Sequence, residues 1–107
     1  MNYKTHNQDD LINVTGTHLL TTINLPFYRV AAALGDPIRF NADQGDGKVR
    51  IEWDIKFEDG EVATIYDWKE YKRRPEDVTD WHIGGRSFEV VQRVYDILQY
   101  KETALTY

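Results

Sequence analysis

The chain has 107 residues, 41% of them hydrophobic and 13% aromatic, which is enough for one core and too few for two domains. It has no cysteine, which excludes disulfides, thiolate metal sites and thiol nucleophiles. Its formal charge of −5 disfavours nonspecific binding to nucleic acid or anionic lipid, and suits a basic protein partner.

The opening stretch "MNYKTHNQDDLINVTG" is polar, with no basic region followed by an apolar run, so it does not read as a signal peptide. No segment approaches the roughly 18 apolar residues of a membrane span. The expectation is one soluble cytoplasmic domain over 1–107, with residues 1–14 as a flexible arm and 15–100 as the folded core.

In "THLLTTINL" (17–25), Leu19, Thr21, Ile23 and Leu25 recur at period two and predict a strand. Pro26 then stands where a first helical residue is tolerated, and Phe27, Val30, Ala31 and Leu34 form an apolar stripe at helical spacing. Gly35 and Pro37 stop that helix. "NADQGDGK" (41–48) is a loop by composition.

The strongest periodicity follows. Val49, Ile51, Trp53, Ile55 and Phe57 alternate with Arg50, Glu52, Asp54, Lys56 and Glu58. Asp59-Gly60 is the favoured pair for a two-residue type I′ hairpin turn. That turn sets Phe57 opposite Val62, Ile55 opposite Thr64, Trp53 opposite Tyr66 and Ile51 opposite Trp68, all on a core face. The solvent face then sets Glu52 directly against Asp67 and leaves Ile65 exposed, a slight argument for a homodimer contact.

"KEYKRRPED" (69–77) reads as a charged loop, and "TDWHIGGRSFEV" (79–90) as the connection that starts the last helix. From about Ser87 to Tyr100, Phe88, Val91, Val94, Tyr95 and Leu98 form a second apolar stripe. The tail "KETALTY" predicts a frayed helix end or a short added strand. The order β-α-β-β-α specifies a two-layer α+β domain. Its antiparallel sheet has three strands, or four with the tail, and both helices lie on the Trp53/Tyr66 face.

Two candidate surfaces emerge. Glu52, Asp54, Glu58, Asp59, Glu61 and Asp67 crowd one hairpin, and Glu52 against Asp67 is a like-charge pair that a sheet would not choose for stability. This acidic surface suits a partner protein, and Arg50 and Lys69 lie close enough to neutralise part of it. The second surface is the Gly-Gly segment. Gly84 and Gly85 ahead of a helix expose N–H groups, Arg86 and His82 add positive character beside Lys72, Arg73 and Arg74, and Trp81 offers a stacking face. Together they suit a phosphate or nucleotide, although the spacing matches no phosphate-binding fingerprint. His6, His18 and His82 share no metal-ligand spacing, no catalytic constellation is legible, and neither a metal nor a cofactor is expected.

The stretch "EWDIKFEDGEVATIYDWKEY" followed by "DWHIGG" resembles a pattern found in small uncharacterised proteins of bacteriophages, over roughly residues 15–100. The resemblance implies a phage origin and transfers no catalytic residues. With the acidic hairpin, it leads to the expectation of a non-enzymatic inhibitor or modulator of a host or defence protein, with small-ligand sequestration as the alternative.

Overall fold

A computed structural model describes residues 1–40 and 47–101. Most of the 41–48 loop and almost all of the "KETALTY" tail therefore lie outside the described residues. The fold is α+β. Among the described residues, six strands, β1 (Tyr3–Thr5), β2 (His18–Asn24), β3 (Ile38–Arg39), β4 (Ile51–Phe57), β5 (Val62–Tyr66) and β6 (Asp80–Gly85), form one sheet, accompanied by two α-helices, α1 (Phe27–Leu34) and α2 (Glu89–Leu98). The main strand order is β1-β4-β5-β6-β2, with β3 also on β4, and every pairing is antiparallel.

The strand β2 and the helix α1 form where the apolar spacing predicts them. Val30 and Leu34 are buried, and Gly35 ends α1 at φ 83°, donating its N–H to Ala31 O. The predicted common face of β2 is broken by a register shift between Leu19 and Thr21, which leaves Leu19 exposed. On α2 the buried side is Val90, Val91, Val94 and Leu98, whereas Phe88 is exposed. The stripe is rotated because the chain enters α2 from a strand, and Gly85 admits Val90 against the sheet. A Cβ on Gly85 would stand 2.6 Å from Val90 Cγ2.

The hairpin differs from the type I′ expectation by one residue. Phe57 exchanges hydrogen bonds with Glu61 and Gly60, and Gly60 holds φ 92°, so the connection is Glu58-Asp59-Gly60. A three-residue turn ending in a left-handed glycine fits the same Asp-Gly sequence as the two-residue turn. Trp53 pairs with Ile65, and Ile55 with Ala63. A one-residue slip exchanges every side chain of β5 between faces. Ile65 and Ala63 thereby join the core with no exposure, while Tyr66 and Thr64 turn to the opposite side. Ile65 is unavailable as an exposed dimer contact.

Two segments depart further. The arm 1–14 contains a strand, with Tyr3 paired to Phe57 and Thr5 to Ile55. It is also tied to the end of α1 through His6 Nε2, which lies 2.7 Å from Asp36 O, and Asn7 Nδ2, which donates to Leu34 O. The "DWHIGG" stretch is not a connection. It is β6, bonded on both sides by β5 and β2.

The core lies between the helices and one sheet face. Trp53 and Trp81 meet there edge to face at 5.3 Å, and Phe27 packs on both. Each indole N–H has a carbonyl partner, Gly35 O for Trp53 and Leu25 O for Trp81.

Candidate functional site: a carboxyl-lined cleft on the helix-free face

Strand alternation sends Glu52, Asp54, Thr64, Tyr66, His82 and Gly84 to the face opposite the helices. Pairing sets them in two rows, Glu52 beside Tyr66 beside His82, and Asp54 beside Thr64 beside Gly84. The segment 6–17 crosses this face between β1 and β2 and supplies a wall. The cleft so formed has a volume of about 250 Å³ and is lined by Val14, Thr17, His18, Val49, Glu52, Thr64, Tyr66, Trp68 and Gly84.

Gly84 keeps the floor of this cleft open. A Cβ there would stand 2.6 Å from Thr64 Oγ1 and 3.5 Å from Tyr66 Cε1. Arg86 fixes the wall, with Nε donating to Thr15 O at 2.9 Å and Nη2 to Asn13 O at 2.8 Å. Trp68 forms the rim, stacked on His82 at 6.0 Å and edge-on to Tyr66 at 6.5 Å. Lys48 and Lys69 each lie within 6 Å of its ring centre.

The unusual group is Glu52. Burial pushes its carboxyl up to about 9, reinforced by a hydrogen bond to Asp54 and by the Asp54 charge. Asp54 is 7% exposed, and its Oδ1 has no partner among the described residues other than what Glu52 can offer. A deprotonated Glu52 would leave two carboxylates facing each other with only acceptors between them. A protonated Glu52 can donate to Asp54, so this arrangement favours the protonated form of Glu52. Burial also raises the Tyr66 phenol, with a further contribution from Glu52, and burial lowers the His82 imidazole against the pull of Asp67 and Glu70. The cleft thus presents neutral hydrogen-bonding groups, the protonated Glu52 carboxyl and an aromatic rim at neutral pH.

The residues singled out in the sequence separate in space. Of the six acidic side chains, Glu52 lines the cleft, Asp54 lies buried beside it on the same sheet face, and Glu58, Asp59 and Glu61 stand at the hairpin tip. Asp67 lies on the other face with no exposure. Glu52 faces Tyr66, not Asp67, because of the changed turn. Asp67 has structural partners: its Oδ1 accepts the N–H groups of Arg50 and Ile51, and its Oδ2 pairs with Arg50 Nε at 3.2 Å. At the tip, Asp59 is held bidentately by Arg93, which keeps its carboxyl below the usual range. The six therefore form no single acidic surface.

The Gly-Gly group separates in the same way. Trp81 is fully buried and offers no stacking face, Gly85 packs under α2, and the Arg86 guanidinium is committed to Asn13 and Thr15. Arg74 is paired with Asp77. Of this set, Gly84 and His82 lie on the helix-free face. Sequence reasoning missed Thr64, Tyr66, Trp68 and His18 as neighbours of Glu52. The alternation Trp81-His82-Ile83-Gly84 was the available signal, since it marks a strand that continues the hairpin sheet.

No group of three or more His, Asp or Glu side chains with metal-binding geometry occurs among the described residues. No helix among them is long and apolar enough to cross a membrane. No protein-family model, no curated protein and no solved structure matches the chain.

Proposed function

We propose that the protein is a small-ligand binding protein, and that the cleft between the helix-free sheet face and the 13–17 wall is its binding site. The observation that carries this reading is the Glu52–Asp54 pair. A half-buried Glu52 whose carboxyl is pushed up beside the buried Asp54 is costly to stability, and Glu52 lines a concave site that a glycine keeps open. A purely structural face would gain by replacing Glu52 with an amide or an apolar side chain.

The lining chemistry argues against a phosphate. No lysine or arginine lines the cleft, and an added anion would face Glu52. An inhibitor acting through an acidic patch has less support, because Asp67 and Asp54 are buried and Asp59 is neutralised by Arg93. Sequestration of a small molecule by a small non-enzymatic chain also fits the bacteriophage-type motifs that the sequence resembles.

The test is an NMR screen of ¹⁵N-labelled protein against a library of small cationic, neutral and anionic compounds. The proposal expects hits that shift the amides of Glu52, Thr64 and Gly84 together. A screen in which those amides never move, or in which all hits map to the hairpin tip, would contradict it.

A further inference from the structure

We infer that the cleft takes a small organic cation, whose N–H donors are accepted by Glu52, with Asp54 buried beside it, and whose body lies against Tyr66 and Trp68. The inference rests on the binding role proposed for this cleft and adds the class of ligand.

Three independent features support it. First, Asp54 is 7% exposed and carries an oxygen without a partner beyond Glu52, so the pair is short of donors and has acceptors to spare. Second, the lining carries no lysine or arginine, so no fixed ammonium or guanidinium within it competes for Glu52. Third, aromatic side chains and carboxylates together are the usual surroundings of an organic cation, the rings through their π faces and the carboxylates through charge-assisted hydrogen bonds. A guanidinium is well matched, because its fork can address both oxygens of the Glu52 carboxylate.

The proton balance is definite. The free protein holds Glu52 as the acid, hydrogen-bonded to Asp54. On binding, the O–H bond of Glu52 breaks, its proton passes to solvent, and the Glu52 carboxylate accepts from the ligand beside Asp54. One proton leaves for each cation bound. The titratable and charged groups around Glu52 and Asp54 are Tyr66 on β5, His82 on β6, His18 at the start of β2, His6 at the Asp54 backbone, Lys56 farther along β4 with Lys4 opposite it on β1, and Lys48 with Lys69 at the Trp68 ring. The two lysines sit over Trp68 at 5.7 and 5.8 Å and are absent from the lining, so they bias the rim and leave the floor acidic.

The experiment compares two probes of nearly equal shape, methylguanidinium chloride and neutral N-methylurea, on the wild-type chain at pH 6, 7 and 8. Sodium chloride matches the ionic strength. Amide shifts of Glu52, Thr64 and Gly84 report binding. The expected result is that methylguanidinium shifts these amides, that its Kd falls about tenfold per pH unit as one proton is released, and that N-methylurea binds at least tenfold more weakly. Glu52→Gln, which keeps a donor to Asp54, should remove the pH dependence and weaken the cation at least tenfold. Equal binding of both probes with a flat pH profile would overturn the cation assignment and leave the cleft as a site for neutral ligands. Absence of any methylguanidinium shift at these amides, or unchanged binding by the Glu52→Gln variant, would also overturn it. The binding role itself stands or falls on the wider screen.

Discussion

Replacing Glu52 with glutamine should stabilise the protein at neutral pH. In the unfolded chain the carboxyl titrates near 4.5, whereas in the fold burial and Asp54 hold it up at about 9. A raised carboxyl means that the fold favours the protonated form. The fold therefore carries no penalty from Glu52 below about pH 4.5 and loses stability as pH rises toward 9. At pH 7 the gap from 4.5 is about 2.5 units, and at about 1.4 kcal/mol per unit the unscreened penalty reaches about 3.5 kcal/mol. Water reaching the cleft screens part of this, so about 1–3 kcal/mol is the working range. Glutamine removes the titration and retains an N–H donor for Asp54. Urea unfolding of both proteins at pH 5 and pH 8 checks the reasoning. The variant should be nearly equal to wild type at pH 5 and clearly more stable at pH 8. Parallel stability curves, or a variant that loses more at pH 8 than at pH 5, would refute it.

The remaining predictions concern the residues that shape the cleft. Gly84→Ala should cost about 1–3 kcal/mol by overpacking against Thr64 and should abolish ligand shifts, whereas Gly84→Ala with Thr64→Ala should recover most of the stability in thermal unfolding. Gly85→Ala should cost a similar amount on the other face, and Val90→Ala should relieve the clash while adding its own cavity. Arg86→Ala removes two charge-assisted bonds to the wall and should accelerate hydrogen exchange at residues 13–17 with little change in β4 and β5. Asp67→Ala leaves the Arg50 and Ile51 backbone N–H groups and Arg50 Nε without their acceptor, with Nη2 still held by Glu70 O, and should cost about 3 kcal/mol in chemical denaturation.

How much of this was legible in the sequence depended on how many physical solutions each stretch allows. The helix α1 was legible because the Phe27 to Leu34 spacing, Pro26 and Gly35 all point to one answer. The strand β4 was legible because only one of its faces is apolar. Its partner β5 was not, since "VATIY" has apolar residues on both faces, and two turns compatible with Asp-Gly place opposite faces inward. That single residue of register decided the site. It moved Asp67 into a buried pair with Arg50 and placed Tyr66 and Thr64 beside the Glu52–Asp54 row. "DWHIGG" misled because two glycines suggest a turn, whereas here one glycine admits Val90 and the other opens the cleft. The role of the first residues was illegible for a different reason. A polar segment such as residues 6–17 carries no periodicity, and it is held by side chains distant in sequence, Arg86 among them.

The central claim is that Glu52 keeps a proton at neutral pH and lends it to Asp54 in an otherwise acceptor-rich cleft. The most direct measurement is a ¹³C NMR titration of the side-chain carboxyl carbons from pH 3 to 10, with Glu52 assigned by comparison with Glu52→Gln. The account predicts that the Glu52 carbon keeps its protonated shift through pH 7 and titrates near 9. A Glu52 carbon that titrates between about 4 and 5, as an ordinary exposed glutamate does, would contradict it.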